Sequence, residues 1–192
     1  KETFADHESY DAITARAATV PAGSEGLLYL PYLAGERNPY FDPDARAVFF
    51  GATRRTNSDY FARAVLEGVA YAFRDLFTLL DSTGTQTSTV RAIGGGVKSA
   101  LWRQIIADVT GKSLYLMNIE EGPAFGAALL AAVGTKAFAS VPEACAATLR
   151  TTDGTLPNAS GTSVYNRYYP VYRSLYPLLQ SSFSAVVALS RG

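Results

Sequence analysis

An α/β layered domain is the fold class this sequence predicts, on three observations. Strand-like and helix-like stretches alternate from residue 86 onward with short connections between them. Residues 59–80 carry a helical periodicity that separates polar from apolar positions. The remaining apolar runs are short and rich in aromatic and β-branched residues, as strands are. With 48% apolar residues and 16 glycines in 192, the composition suits a compact domain rather than a disordered chain.

In order along the chain, residues 8–20 predict a short helix, with Ser9 as its cap and Ile13 and Ala17 on one face. Pro21-Ala-Gly-Ser24 is a turn signal. Residues 26–33 (GLLYLPYL) predict a buried strand with Pro31 near its end, and residues 47–52 (AVFFGA) a second one, separated by a Gly- and Pro-containing loop. In residues 59–80, Asp59, Arg63, Glu67, Arg74, Thr78 and Asp81 share a polar stripe. Phe61, Val65, Leu66, Val69, Phe73, Leu76, Phe77 and Leu80 cover the opposite side. Asn57 or Ser58 is the N-cap, and Gly84 lies just past the end. Gly68 inside this helix costs about 1 kcal/mol relative to Ala, so close packing against a neighbour is expected there.

Residues 90–93 predict a strand, 99–109 a helix ended by Gly111, and 114–117 another strand. Residues 124–133 (AFGAALLAAV) are apolar all round, which predicts a helix buried on both faces. A short helix started by Pro142 follows, and then a polar loop over residues 151–162. The tail, residues 163–189, is helical in pattern but carries Pro170 and Pro177, so two or three helical pieces are expected.

Charge and cysteine content narrow the function classes. Lys plus Arg and Asp plus Glu are 17 each and scattered, which argues against nucleic acid and anionic membranes as partners. No apolar run is long enough to span a bilayer, and the opening has no signal-peptide layout. A single cysteine, Cys145, leaves no disulfide framework and points to a cytoplasmic setting, and a single histidine, His7, leaves no His-based metal cluster.

Chemistry concentrates where Gly94-Gly95-Gly96 leaves a strand and enters a helix near Ser99. Glycines let main-chain N–H groups approach a ligand, and a helix N-terminus offers free donors and partial positive charge, an arrangement suited to phosphate. Lys98 adds a cation, and Ser99 a cap or a ligand contact. No glycine directly precedes Lys98, so this is not a Walker A loop; Ser99 takes the last glycine position of the dinucleotide fingerprint. Spacing alone leaves two readings open: a ligand cradle, or a tight strand-to-helix turn needing glycine only for its backbone.

Residues 94–110 (GGGVKSALWRQIIADVT) resemble the second signature of the FGGY carbohydrate kinases, and most closely the form found in the xylulose-phosphorylating branch. Residues 30–44 (LPYLAGERNPYFDPD), the run Ala62-Arg-Ala-Val-Leu-Glu-Gly-Val-Ala70, the run Glu121-Gly-Pro-Ala-Phe-Gly-Ala-Ala-Leu-Leu-Ala131 and the Tyr-rich tail resemble the same family in order and spacing. The resemblance implies an actin-like, ribonuclease-H-like ATPase domain with a mixed sheet flanked by helices. It implies an ATP- and Mg²⁺-dependent sugar kinase, D-xylulose being the acceptor; gluconate, ribulose or another polyol, or a stand-alone non-catalytic nucleotide-binding module, are the alternatives. Gly94, Gly95, Gly96, Lys98 and Ser99 then bind nucleotide, with Lys98 either on phosphate or in solvent. Residues 1–192 are expected to be the nucleotide-binding C-terminal domain, truncated at Lys1, without the N-terminal sugar-binding domain that carries the catalytic aspartate. The implied partners are the sugar and that N-terminal domain, with a homodimer left open.

Other candidates are expected to be structural. Glu36 and Arg37 are assigned an interdomain role by the resemblance; Asp42 and Asp44 flank Pro43 and read as turn formers. Glu120 and Glu121 precede a helix and suit its positive end. Tyr165, Tyr169, Tyr172 and Tyr176 read as a packing stripe, Trp102 as packed on the sheet, and Cys145 as a small buried hydrophobe.

Overall fold

The computed structural model describes residues 7–190; residues 1–6, which include the opening taken above for the middle of a longer polypeptide, and residues 191–192 lie outside the described residues. The first helix, α1 (Tyr10–Ala17), is shorter than its pattern and is capped by Ser9, whose hydroxyl accepts from the Ala12 N–H. Strands β1 (Leu28–Leu30) and β2 (Val48–Phe50) form an antiparallel pair and enclose the loop of residues 31–47. That loop is cinched by reciprocal main-chain bonds between Glu36 and Asp42, at 2.8 and 2.7 Å. Asp42 acts as the expected turn former: its carboxylate accepts from the Asp44 N–H at 2.8 Å and from the Tyr176 hydroxyl at 2.8 Å.

Helix α2 (Ser58–Ser82) is the spine, capped by Asn57. A Cβ on its Gly68 would lie far inside contact distance of the Tyr29 carbonyl oxygen, so glycine there lets α2 lie directly on β1. Strand β3 (Thr89–Ala92) leads through the glycine turn into α3 (Ala100–Thr110), which ends on Gly111 in a left-handed conformation. Strand β4 (Ser113–Met117) runs parallel to β3. After α4 (Gly122–Gly134) and α5 (Val141–Thr148), strand β5 (Thr151–Thr155) adds antiparallel to β4, giving a mixed sheet of order β3-β4-β5.

Three expectations change here. The polar loop expected over 151–162 begins as a strand, Thr151–Thr155, and ends as helix from Ala159: its threonines suit an edge strand whose faces stay wet. The tail is one helix, α6 (Ala159–Ser190), despite its two prolines. Pro170 and Pro177 sit on the exposed side, as do Asn166 and Arg173, whose carbonyls lose their donors and face water instead. And α4 is not buried on both faces. Only Leu129 of α4 is buried, and Leu130 is 62% exposed.

The core joins β1, α2, α3, β4 and α6. Tyr165, Tyr169, Tyr172 and Tyr176 are all buried, as the stripe implied, and the first three gather around Tyr71 of α2. Beneath them runs an ionic network. The Glu67 carboxylate accepts from the Gly23 N–H (3.0 Å), the Ser24 hydroxyl (2.8 Å), Arg63 Nε (2.8 Å) and the Tyr165 hydroxyl (2.9 Å). Arg63 also donates to the Tyr165 oxygen at 2.8 Å. So the polar stripe of α2 faces inward at Arg63 and Glu67, and Asp75, outside that stripe, is buried as well.

Candidate functional site

The glycine turn borders a cavity of about 480 Å³ at the carboxyl ends of the parallel strands β3 and β4. Crevices at that end of a parallel pair are where open α/β sheets bind ligands. One wall is Ala92 through Gly95 with Val97 and Lys98; the other is Leu116, Met117 and the turn from Ile119 to Pro123 that opens α4. A Cβ on Gly122 would run into the Ile93 side chain, so glycine at 122 lets the two walls close at the base.

The three consecutive glycines differ in what holds them to glycine. Gly94 has φ +98°, a conformation that L side chains rarely adopt. Gly96 faces Trp102, and a Cβ there would enter its ring. Gly95 has neither reason: its φ of −64° and ψ of −37° are ordinary, and a Cβ would meet nothing within 4 Å. The space above Gly94 and Gly95 is open toward the cavity.

The turn does not pass straight into α3. A single 3₁₀ turn, Gly96–Lys98, intervenes, and Ser99 is the N-cap, its hydroxyl accepting from the Trp102 N–H at 3.3 Å. Arg103 braces the turn from beneath, donating to the carbonyls of Val97 (2.8 Å) and Lys98 (3.1 Å). Of the residues picked from sequence, Gly94, Gly95 and Lys98 line the cavity, while Gly96 and Ser99 stand behind it, on Trp102 and on the head of α3. Trp102 joins the core and reaches α2: its ring lies beside Phe73 and its Nε1–H donates to the Leu66 carbonyl at 3.4 Å.

The far wall carries residues read from sequence only as helix-end charges. Glu120 pairs with Lys98 across the cavity at 3.3 Å, and Glu121 occupies the N-cap position of α4 without a side-chain cap bond. Both partners of the Lys98–Glu120 pair are exposed, so the bond is weak and opens easily. With two carboxylates against one ammonium and an apolar floor of Ile93, Val97, Leu116 and Met117, the cavity is less cationic than the glycine-lysine sequence implied. A strand followed by Glu-Glu-Gly-Pro was the available signal for this wall.

Glu36 and Arg37 lie apart from this cavity, on the loop after β1. Glu36 accepts from the Asn38 N–H at 2.7 Å, and partial burial raises its carboxyl above the usual range. On the same loop Leu33 and Phe41 are 77% and 81% exposed. Cys145 is half-buried rather than buried. Among the described residues no helix is long and apolar enough to cross a membrane.

A mixed sheet flanked by helices, with a ligand-sized crevice at the ends of its parallel strands, defines a domain of the actin-like, ribonuclease-H-like ATPase class. The chain belongs to the FGGY family of carbohydrate kinases, whose C-terminal domain matches residues 1–135. Among known proteins it is 37% identical over 92% of its length to xylulose kinase of Staphylococcus epidermidis, and 32% identical over 96% to gluconokinase of Bacillus subtilis. It spans 36% of the length of each of those relatives. A ligand-bound xylulose kinase from Lactobacillus acidophilus superposes with a TM-score of 0.87 at 30% identity, over 95% of this chain and 37% of that one.

Proposed function

We propose that this chain is the nucleotide-binding half of a longer, cytoplasmic ATP-dependent sugar kinase whose acceptor is D-xylulose, and that alone it does not transfer phosphate. Gly95 carries the reading: neither its backbone nor its neighbours require glycine, and the space a side chain would take is the cavity. Bound ATP supplies the phosphoryl group. The cavity's apolar floor fits a purine, and Glu120 and Glu121 can accept hydrogen bonds from ribose hydroxyls. Those same carboxylates repel a polyphosphate, so this chain grips the nucleoside end more firmly than the phosphates. Lys98, once released from Glu120, is the cation placed to meet the charged end. Ser99 and Gly96 hold the turn in shape through the head of α3 and Trp102.

Among the described residues no group of three His, Cys, Asp or Glu side chains is placed to hold a metal. Magnesium in kinases rides on phosphates and waters with one or two carboxylates. A Mg²⁺ carried in on ATP therefore needs no cage from this chain. The Leu33–Phe41 loop, with Glu36 and Arg37, is the surface we assign to contact with the sugar-binding domain. Gluconate is the second reading of the acceptor, favoured by the gluconokinase match. Turnover of a sugar panel by the full-length protein separates the two.

The nucleotide assignment is tested by Gly95→Val in the full-length protein. The backbone at 95 is ordinary and an added Cβ has nothing within 4 Å, so the unfolding midpoint should hold. The KM for ATP should rise at least about tenfold, the equivalent of 1.4 kcal/mol, with the KM for sugar unchanged. Equal losses for both substrates, or an unaltered KM for ATP, would remove the assignment.

A further inference from the structure

A second cavity, of about 440 Å³, is lined by two arginines and no carboxylate. Successive strand residues project to opposite faces of a sheet. Accordingly Ala92 of β3 lines the glycine-turn cavity while Arg91, the residue before it, lines this one. The other arginine, Arg150, leads into β5, and its position is built rather than incidental. Its N–H donates to the Asn118 side-chain oxygen at 2.9 Å, the Asn118 N–H donates to its carbonyl at 3.0 Å, and the Asn118 amide donates to the Thr148 carbonyl at 3.0 Å. Beside this clamp the pairing of β5 with β4 slips: Tyr115 faces Gly154 but Met117 faces Thr151, one extra residue on β5. Such bulges re-aim side chains.

Among the described residues neither guanidinium has an ion-pair or hydrogen-bond partner. Two cations without a partner lining one concavity create a local positive field that attracts anions. Guanidinium forks match phosphate oxygens in pairs, and Thr151, a hydroxyl-bearing residue, lines the same cavity. Met117 and Leu149 provide apolar surface for a carbon skeleton, and the volume is that of a small-molecule site. We propose that this cavity binds a small phosphate monoester through Arg91 and Arg150. The proposal is independent of the nucleotide assignment, which concerns a neighbouring cavity that shares only Met117 with this one.

Cys145 is the chain's one cysteine and lines the same cavity, so its alkylation reports on it directly. The experiment follows iodoacetamide modification at Cys145 by peptide mass spectrometry in the full-length protein, at ionic strength matched with chloride to remove general screening. The probes are a pentose 5-phosphate, inorganic phosphate and the unphosphorylated pentose. Protection by the pentose phosphate at lower concentration than by inorganic phosphate, with none from the pentose, is the expected result. Arg91→Gln and Arg150→Gln should each raise the half-protecting concentration about tenfold, with the unfolding midpoint unchanged. Equal protection by inorganic phosphate also supports the site and makes free phosphate the ligand. Gly95→Val should leave the protection intact, which separates this cavity from the nucleotide's. If neither phosphate slows alkylation beyond chloride, or both arginine variants are protected like the parent, the arginines are merely solvated and the proposal falls.

Discussion

Helix α2 and helix α4 treat their side chains in opposite ways. Along α2 an arginine, a glutamate and an aspartate are buried, every oxygen of Glu67 taken up by a donor. Along α4, where the sequence is apolar on all sides, most of the surface is open. Periodicity states which residues share a face of a helix, but not which face will be covered. Coverage depends on what arrives. Tyr165 and the turn at Gly23 and Ser24 bring hydrogen-bonding groups to α2 from distant parts of the chain, so its charges can be enclosed without being orphaned. Nothing in the described chain arrives over most of α4.

The contrast breaks most sharply at Glu67. In Glu67→Ala the Arg63 guanidinium is left buried without its counter-charge, and urea unfolding should show a loss of about 3–5 kcal/mol. A loss below about 1 kcal/mol would mean that the network opens to water and that α2 is no more enclosed than α4. The same glycine-to-alanine change then gives opposite signs in the two helices. Gly68→Ala drives a methyl into the Tyr29 carbonyl and should cost about 1–3 kcal/mol. Gly126→Ala, on α4, meets nothing within 4 Å and should gain up to about 1 kcal/mol from helix propensity. Destabilisation at 126 instead, in the full-length protein, would show that α4 is covered there.

The smallest effect is a slope. Burial raises the Asp75 carboxyl above its ordinary range, opposed by the hydrogen bond from Tyr169 and the charges of Arg173 and Arg74. A carboxyl raised in the folded state keeps its proton to higher pH than in the unfolded chain. Between the unfolded and folded values the native form therefore binds more protons, and stability falls as pH rises through that window. Asp75→Asn should flatten this part of the stability profile relative to the parent in urea melts between about pH 4 and 7. Parallel profiles would mean that the Tyr169 and Arg173 contacts cancel the burial.

Much of the fold was legible because it is local. Ser9, Asn57 and Ser99 cap helices as their side-chain chemistry dictates, and Gly111 ends α3 through a conformation natural to glycine. The Gly68 expectation also held, since a glycine inside a strong helix needs a close neighbour. The misreadings share one cause. β5 is a strand because β4 offers its edge, and α6 stays whole because its tyrosine face is anchored while its prolines point to water. Neither partner is visible from inside the segment. At the candidate site the glycine wall was legible and the facing of the acidic wall was not, because Glu120 meets Lys98 only after the chain crosses α3 and β4.

The sequence by itself determined the α/β class, the family, the helix ends and the glycine turn, because each rests on contacts within a few residues or on motifs read in order. Only the tertiary structure decided which faces are enclosed, that backbone conformation holds Gly94 and packing holds Gly96 to glycine while neither holds Gly95, and that Arg91 and Arg150 share a cavity. Burial and charge balance are properties of neighbours, and neighbours here lie tens of residues apart along the chain.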